Sequence, residues 1–407
     1  MDDQVSRVSG VLMRGPLAPF AQEYKSELES RGYAPRTVVD HLYQVSRLGC
    51  WLDGHGLGAA DLGEGRISEF LAFQRAAGRH RRHWSRPGLL CLLWVLRRIG
   101  VAPAEEPAAT PSAEDLLVAS FERYLLAERG LAASTVRGYA AHARLFLGGL
   151  TPPGALAELT AEDVIAAVLA EAGRVSVSAA QYFITGLRSF LRFCFAEGLV
   201  PGDLSPVVLS LAGRRPTMLP RGISQADAAA LLGSCDLSTA IGLRDHAILT
   251  TLLRLGLRAA EVAALALDDV DWRGGQLTVA GKGGRTDRLP LPADAGEAIA
   301  AYLRHGRPAS GVRAVFLKAL APYGPVATRT VSSTVRRACA RAGIPEVGAH
   351  RLRHTTACEM VFAGVPLVQA AQVLRHQSLQ TTAIYARANV SHLRGLALPW
   401  PAREEGR

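Results

Sequence analysis

Apolar positions recur at helical spacing in two stretches. In the first, Phe20, Tyr24 and Leu28 lie four apart, and Val38, Leu42 and Val45 follow after a turn, so residues 17–104 are predicted to be helical. In the second, from Ala113 to about Ser205, Phe183, Leu187, Phe190, Leu191 and Cys194 draw a stripe that reads as core rather than as a binding face, and Gly198 and Pro201 stop it. R-G-Y-A-P-R-T-V-V-D-H (Arg31 to His41) matches R-G-L-A-A-S-T-V-R-G-Y (Arg129 to Tyr139) at a constant offset of 98, each reading as helix, Arg-Gly turn, Thr start, helix. Two similar helical modules in tandem follow from that match, separated by the polar, Pro-containing segment Glu105 to Ser112.

Beyond the Pro-, Gly- and Arg-rich stretch Leu211 to Gly222 the pattern changes. Gln276 to Ala280 and Thr286 to Leu291 alternate apolar with polar residues around the turn G-K-G-G-R, which predicts a β-hairpin inside an otherwise helical region. Leu352, Ala357, Met360 and Val361 predict a helix from His350 to Ala363 ended by Gly364, and Ser378 can N-cap a last short helix carrying Tyr385. The fold class expected is therefore mainly α and multi-domain, with a small antiparallel β-hairpin or sheet in the C-terminal domain. The domains expected are a helical module at 1–104, a second at 113–205, a linker at 206–222, a third domain at 223–395 and a tail at 396–407.

Charge narrows the class of partner. The 407 residues carry a net charge of +10 with a pI near 9.7, which favours a polyanion. The excess is uneven: residues 1–104 hold 14 Lys and Arg against 10 Asp and Glu, 105–205 hold 7 against 12, and 206–407 hold 25 against 14. Only Lys25, Lys282 and Lys318 are lysines, so a lysine in a chemical setting calls for a reason. Arg79, Arg81, Arg82 and Arg86, with Trp84 among them, suit phosphate contact or a solvated surface turn equally. Six cysteines without a C-x-x-C pair indicate neither a disulfide framework nor a zinc knuckle, and a reduced cytoplasm fits. The longest apolar run, Leu89 to Leu96, is far short of a membrane span, and Asp2 and Asp3 follow Met1 where a signal peptide would be basic.

The candidate chemistry lies near the C-terminus. A-H-R-L-R-H-T-T-A places His350 and Arg353 on one helical face, and L-R-H-Q-S-L-Q-T-T-A-I-Y adds His376 and, nine residues on, Tyr385. A guanidinium fork, two imidazoles and a phenol can grip a phosphodiester and attack it. His350 and His354 also have zinc spacing, but the H-E-x-x-H glutamate is absent and Arg351 and Arg353 would repel a metal. Upstream, Arg258 and Glu261 interrupt an apolar helix, either as a buried structural bridge or as a guanidinium held by its carboxylate. Lys282 sits at the hairpin tip; Gly283 after it excludes a P-loop.

In that order, G-L-R-x-x-E, G-K-G in a hairpin, H-x-L-R-H-T and L-x-H with a tyrosine nine residues later resemble the active site of the tyrosine recombinase (phage integrase) family, over about Ile223 to Asn389. T-V-x-x-Y near Thr135 more loosely resembles the family's core-binding domain, so the N-terminal modules are expected to be SAM-like DNA-binding helices. One departure is L-R-H at Leu374 to His376, where the family usually has L-G-H; Arg375 adds bulk and charge beside the site. The resemblance implies that Arg258, Arg353 and His376 bind the scissile phosphate, Glu261 orients Arg258, Tyr385 is the nucleophile, His350 handles its proton, and Lys282 protonates the leaving oxygen. It implies duplex DNA as partner, a homotetramer on paired sites with room for accessory DNA-bending proteins or partner recombinases, and no metal or cofactor. The alternatives are a type IB topoisomerase, a catalytically silent DNA-binding protein of the same fold, and a metal nuclease. The short tail after Tyr385, with Val390, Leu393, Leu396 and Leu398, can fold back on its own domain or dock on a neighbour.

Overall fold

The computed structural model describes residues 5–78, 86–104, 111–150, 156–208, 222–281 and 286–375. They divide into two compact units, Met1–Ala104 with Met218–Arg407 in one and Glu105–Thr217 in the other. Three large apolar clusters lie among them, spanning Val8 to Ala102, Val118 to Val208 and Leu231 to Leu352.

The first cluster begins with a hairpin that the sequence pattern did not announce. Strands β1 (Val5–Val8) and β2 (Val11–Arg14) pair antiparallel, Val5 opposite Arg14 and Val8 opposite Val11. The two-residue turn puts Ser9 and Gly10 at φ 50° and 80°, the left-handed pair that follows the twist of a hairpin. Four-residue strands are too short for alternation to stand out from chance. Four helices follow: α1 (Ala21–Ser30), α2 (Pro35–Gly54), α3 (Glu64–Ala76) and α4 (Arg86–Arg98). Strand β2 lies so close to α2 that a Cβ on Gly49 would stand 2.4 Å from the Arg14 carbonyl oxygen.

The second unit holds α5 (Ala113–Ala127), α6 (Ala133–Leu147), α7 (Ala161–Arg174) and α8 (Val177–Ala196). The offset of 98 found in eleven residues extends well beyond them. It takes the start of α2 to the start of α6, and the ends of α3 and α4 to the ends of α7 and α8. It takes the buried residues Leu89, Leu92, Leu93, Val95 and Leu96 to the buried residues Leu187, Phe190, Leu191, Phe193 and Cys194. It also takes Gly32 and Gly100 to Gly130 and Gly198, all at positive φ where a helix has just ended. At α1 and α5 the offset slips to 97, pairing Ala21, Tyr24 and Leu28 with Val118, Phe121 and Leu125.

The third cluster is built on α10 (Ala240–Leu255), eleven of whose residues are buried. It follows α9 (Gln225–Gly233) and packs against α12 (Ala293–His305), α13 (Thr328–Ala342) and α14 (Ala349–Phe362). After α11 (Ala259–Ala264) comes an antiparallel sheet in the order β3 (Val270–Asp271), β4 (Gln276–Ala280) and β5 (Thr286–Pro290), with Leu277 opposite Leu289. The alternation read from the sequence is explained by Leu277, Val279 and Leu289, which face the core. Each buried leucine contributes about 1.5–3 kcal/mol relative to exposure. A buried ion pair also stands on α10, where Arg244 donates to Asp245 at 2.7 Å and to the Leu317 carbonyl at 3.4 Å. The last described helix is α15 (Leu367–Val373), joined to α14 through the small cluster Ala357, Cys358, Val361 and Leu374.

Candidate active site

Gly256 makes the site. It ends α10 at φ 57°, a left-handed conformation that L side chains rarely adopt, and a Cβ there would sit 3.0 Å from Leu374. The chain thus turns sharply and delivers Arg258 as the N-cap residue of α11. Glu261, in the first turn of that helix, accepts from the Arg258 backbone N–H at 2.8 Å and from the Arg258 guanidinium at 2.6 Å. In this pair the carboxylate is the buried member (6 % exposed), while the Arg258 side chain is 41 % exposed, which fits a guanidinium held by its carboxylate rather than a wholly buried bridge. Arg258 is therefore a cation held at the surface by a carboxylate anchored beneath it.

Arg353 approaches from α14. It is 1 % exposed, much more deeply set than its motif alone conveys, and it donates to two backbone carbonyls: that of Gly256 at 2.6 Å and that of Leu374. The neighbouring Thr356 hydroxyl donates to the Leu253 carbonyl at 2.7 Å, tying α14 to the end of α10. Both site arginines thus converge on the turn after α15, for Arg258 also donates to the Arg375 carbonyl at 3.4 Å. The sequence marks Arg375 as a departure from the family pattern that adds bulk and charge beside the site, with helix packing or DNA contact as its expected roles. Its guanidinium turns inward, 6 % exposed, and donates to the second oxygen of Glu261 at 2.6 Å. Three guanidiniums and one carboxylate leave a local charge of +2.

These charges act on the nearby ionisable groups. Burial alone would raise the Glu261 pKa, but the Arg258 N–H and the guanidiniums of Arg375 and Arg258 outweigh it and hold the carboxyl below its usual range. His350 reaches the surface, yet the protein packed around it, with the positive Arg353 and Arg258, lowers its pKa. His354, its ring centroid 4.3 Å from that of His350, is lowered to about 4 by burial, then by His350, Arg351 and Arg353. In both imidazoles the neutral form is favoured more than in a free imidazole. Lys282, His376, Tyr385, the Ser378 helix cap, the C-terminal tail and most of the 206–222 linker lie outside the described residues, as do Arg79, Arg81 and Arg82. Arg86 opens α4 on the surface and pairs with Glu64 at 3.0 Å.

Comparison with known proteins completes the picture. The model of the phage integrase family matches residues 222–392, and a model of the RecC C-terminal domain matches 91–188, starting within α4 and ending within α8. A relative from Sinorhizobium fredii designated y4rA, described as a candidate integrase/recombinase, is 37 % identical over 404 residues, covering 96 % of each chain. The tyrosine recombinase XerD of Listeria monocytogenes is 30 % identical over 291 residues, 68 % of this chain and 96 % of its own. The XerH site-specific recombinase, in a post-cleavage complex with its palindromic difH substrate, shares the fold at a TM-score of 0.57 and 17 % identity, over 72 % of this chain and 98 % of that one. Near-complete coverage by one relative and two-thirds coverage by the other, both at 30 % identity or more, establish that the chain belongs to the phage integrase family of tyrosine recombinases.

Proposed function

We propose that this tyrosine recombinase cuts and rejoins duplex DNA strands at specific sites in the cytoplasm, through a 3′-phosphotyrosyl link to Tyr385. The observation that carries the reading is the convergence of Arg258 and Arg353 on the turn immediately before His376, with Glu261 anchoring Arg258 from beneath. Arg258, with its exposed guanidinium, and Arg353, set below it, supply positive charge to the non-bridging oxygens of the scissile phosphate, and His376 adds a donor. Tyr385 attacks phosphorus, His350 accepts the phenolic proton, and Lys282 protonates the 5′ oxygen as it leaves. The lowered pKa of His350 favours its neutral form, the one with a ring lone pair that can receive the phenolic proton. A lysine suits the acid role because an arginine, with a pKa above about 12, gives up its proton too reluctantly.

The bond energy is kept in the phosphotyrosyl ester, so the chemistry requires no nucleotide. One tyrosine cuts one strand, and exchange between two duplexes takes four cuts, so four subunits would assemble on paired sites. The helical modules at 1–104 and 113–205 would grip the DNA flanking the cut. The deciding experiment uses a nicked DNA from which the cleaved fragment diffuses away. The parent protein should accumulate a covalent adduct on a denaturing gel, and Tyr385→Phe should bind the DNA equally and form none. An adduct from Tyr385→Phe would remove Tyr385 from the nucleophile's role.

A further inference from the structure

Arg375 holds a backbone conformation suited to glycine, with φ 53°, and among the described non-glycine residues only Ser9 shares that region. A long side chain kept there against that preference implies that the side chain is doing something glycine cannot. Its contacts say what. The terminal nitrogen donates to one Glu261 oxygen at 2.6 Å, a second nitrogen donates to the Val373 carbonyl at 3.3 Å, and the buried Nε has no hydrogen-bond partner among the described residues. That same Glu261 oxygen already accepts the Arg258 backbone N–H at 2.8 Å, so Arg375 takes the lone pair that the Arg258 guanidinium would need to close into a two-pronged fork, the geometry that a carboxylate and a guanidinium prefer. With Arg375 on its second oxygen, Glu261 receives only one side-chain N–H from Arg258.

We propose that Arg375 is a positioning residue for the phosphate site: by taking the remaining lone pair on the second oxygen of Glu261 it keeps Arg258 from closing into a fork, so that the guanidinium N–H groups not bound to Glu261 or to the Arg375 carbonyl face the DNA. The same residue's left-handed backbone directs the carbonyls of Leu374 and Arg375 at Arg353 and Arg258, so one turn sets both cations. Its charge also raises the cluster to +2. That balance matches a phosphodiester that starts with one negative charge and gains a second as the oxygen attacks. The inference rests on the recombinase reading above and adds to it a residue that the family's usual glycine does not supply.

The test is a set of substitutions in the full-length chain, read by single-turnover cleavage at saturating DNA, by DNA affinity and by thermal unfolding. Arg375→Gly suits the backbone and should leave folding and DNA affinity within about twofold, while the cleavage rate falls by about tenfold or more, the signature of an interaction made in the transition state. Arg375→Lys, which keeps a charge within reach of Glu261, should recover part of that loss. The coupling is measured by a double-mutant cycle: Glu261→Gln should slow cleavage much less in the Arg375→Gly background than in the parent. Cleavage by Arg375→Gly at the parental rate would overturn the proposal, and so would losses from the two substitutions that simply multiply. If Arg375→Gly does not fold, the lysine variant decides, because parental DNA binding with no recovery of cleavage would mean that charge at this position does not position Arg258. Tyr385→Phe runs alongside; an adduct from that variant would bring down the underlying reading, and the Arg375 role with it.

Discussion

The two helical modules, α1–α4 and α5–α8, share a frame and differ in nearly everything placed on it. Buried positions correspond one to one across most of both modules, yet residues 1–104 carry an excess of four basic residues and 105–205 an excess of five acidic ones. Their helix starts diverge as well. In the second module Ser112 and Thr160 form capping boxes with Asp115 and Asp163, whereas Phe20 and Gly63 begin α1 and α3 in the first module without a side-chain cap. The hairpin of β1 and β2 belongs to the first module alone among the described residues. What stays constant is the set of residues that exclude water from the core, and what varies is the set that meets water. A fold is kept by the first and a surface function is tuned by the second.

That comparison can be tested from its largest effect downwards. Leu92→Ala and its counterpart Phe190→Ala remove equivalent core side chains, and each should cost about 2–5 kcal/mol. Urea unfolding followed by amide exchange should localise each loss to its own module; a loss spread over both would mean that the cores are not independent. Tyr24 and Phe121 are counterparts, but only Tyr24 has a hydroxyl, and it donates to the Gly88 carbonyl at 3.0 Å from within the core. Tyr24→Phe should therefore cost about 1 kcal/mol. The caps give a pair of opposite sign: Thr160→Ala should cost about 1 kcal/mol, while Gly63→Thr should gain a few tenths. The extended backbone of Gly63 and the open space around its Cβ position accept the change, so a destabilised Gly63→Thr would show that the two helix starts are not equivalent.

The smallest difference at neutral pH emerges in acid. His142 packs beside Gly186 at the position corresponding to Gln44, and burial, only partly offset by Glu171, lowers its pKa. The unfolded chain then binds the proton first, so the second module should lose stability as pH falls through about 6.5 towards the lowered value and no further below it. His142→Gln should flatten that part of the profile in thermal melts, and an unchanged slope would clear His142 of the effect.

How much of this was legible in the sequence varies by element. The helical stripes and the β4–β5 hairpin were readable because each is a local periodicity, with side chains at intervals of two or nearly four residues meeting the same neighbour, and the repeat because two stretches 98 residues apart carry the same residue pattern. The motif around Arg258, Arg353, His376 and Tyr385 was readable as a spacing of residue types, and with it the family. The β1–β2 hairpin was not, since its strands are shorter than the period needs to declare itself. Nor were three features of the site: the depth of Arg353, the sharing of Glu261 between two arginines, and the left-handed turn at Arg375. The bonds that create them join Arg353 to Gly256, 97 residues away, and Arg375 to Glu261, 114 residues away. The sequence by itself determined which groups the site could contain, because residue identity fixes charge, hydrogen-bonding capacity and helical register. Only the tertiary structure decided which group each one faces and how much water reaches it, because those depend on segments far apart in the chain being brought to one turn.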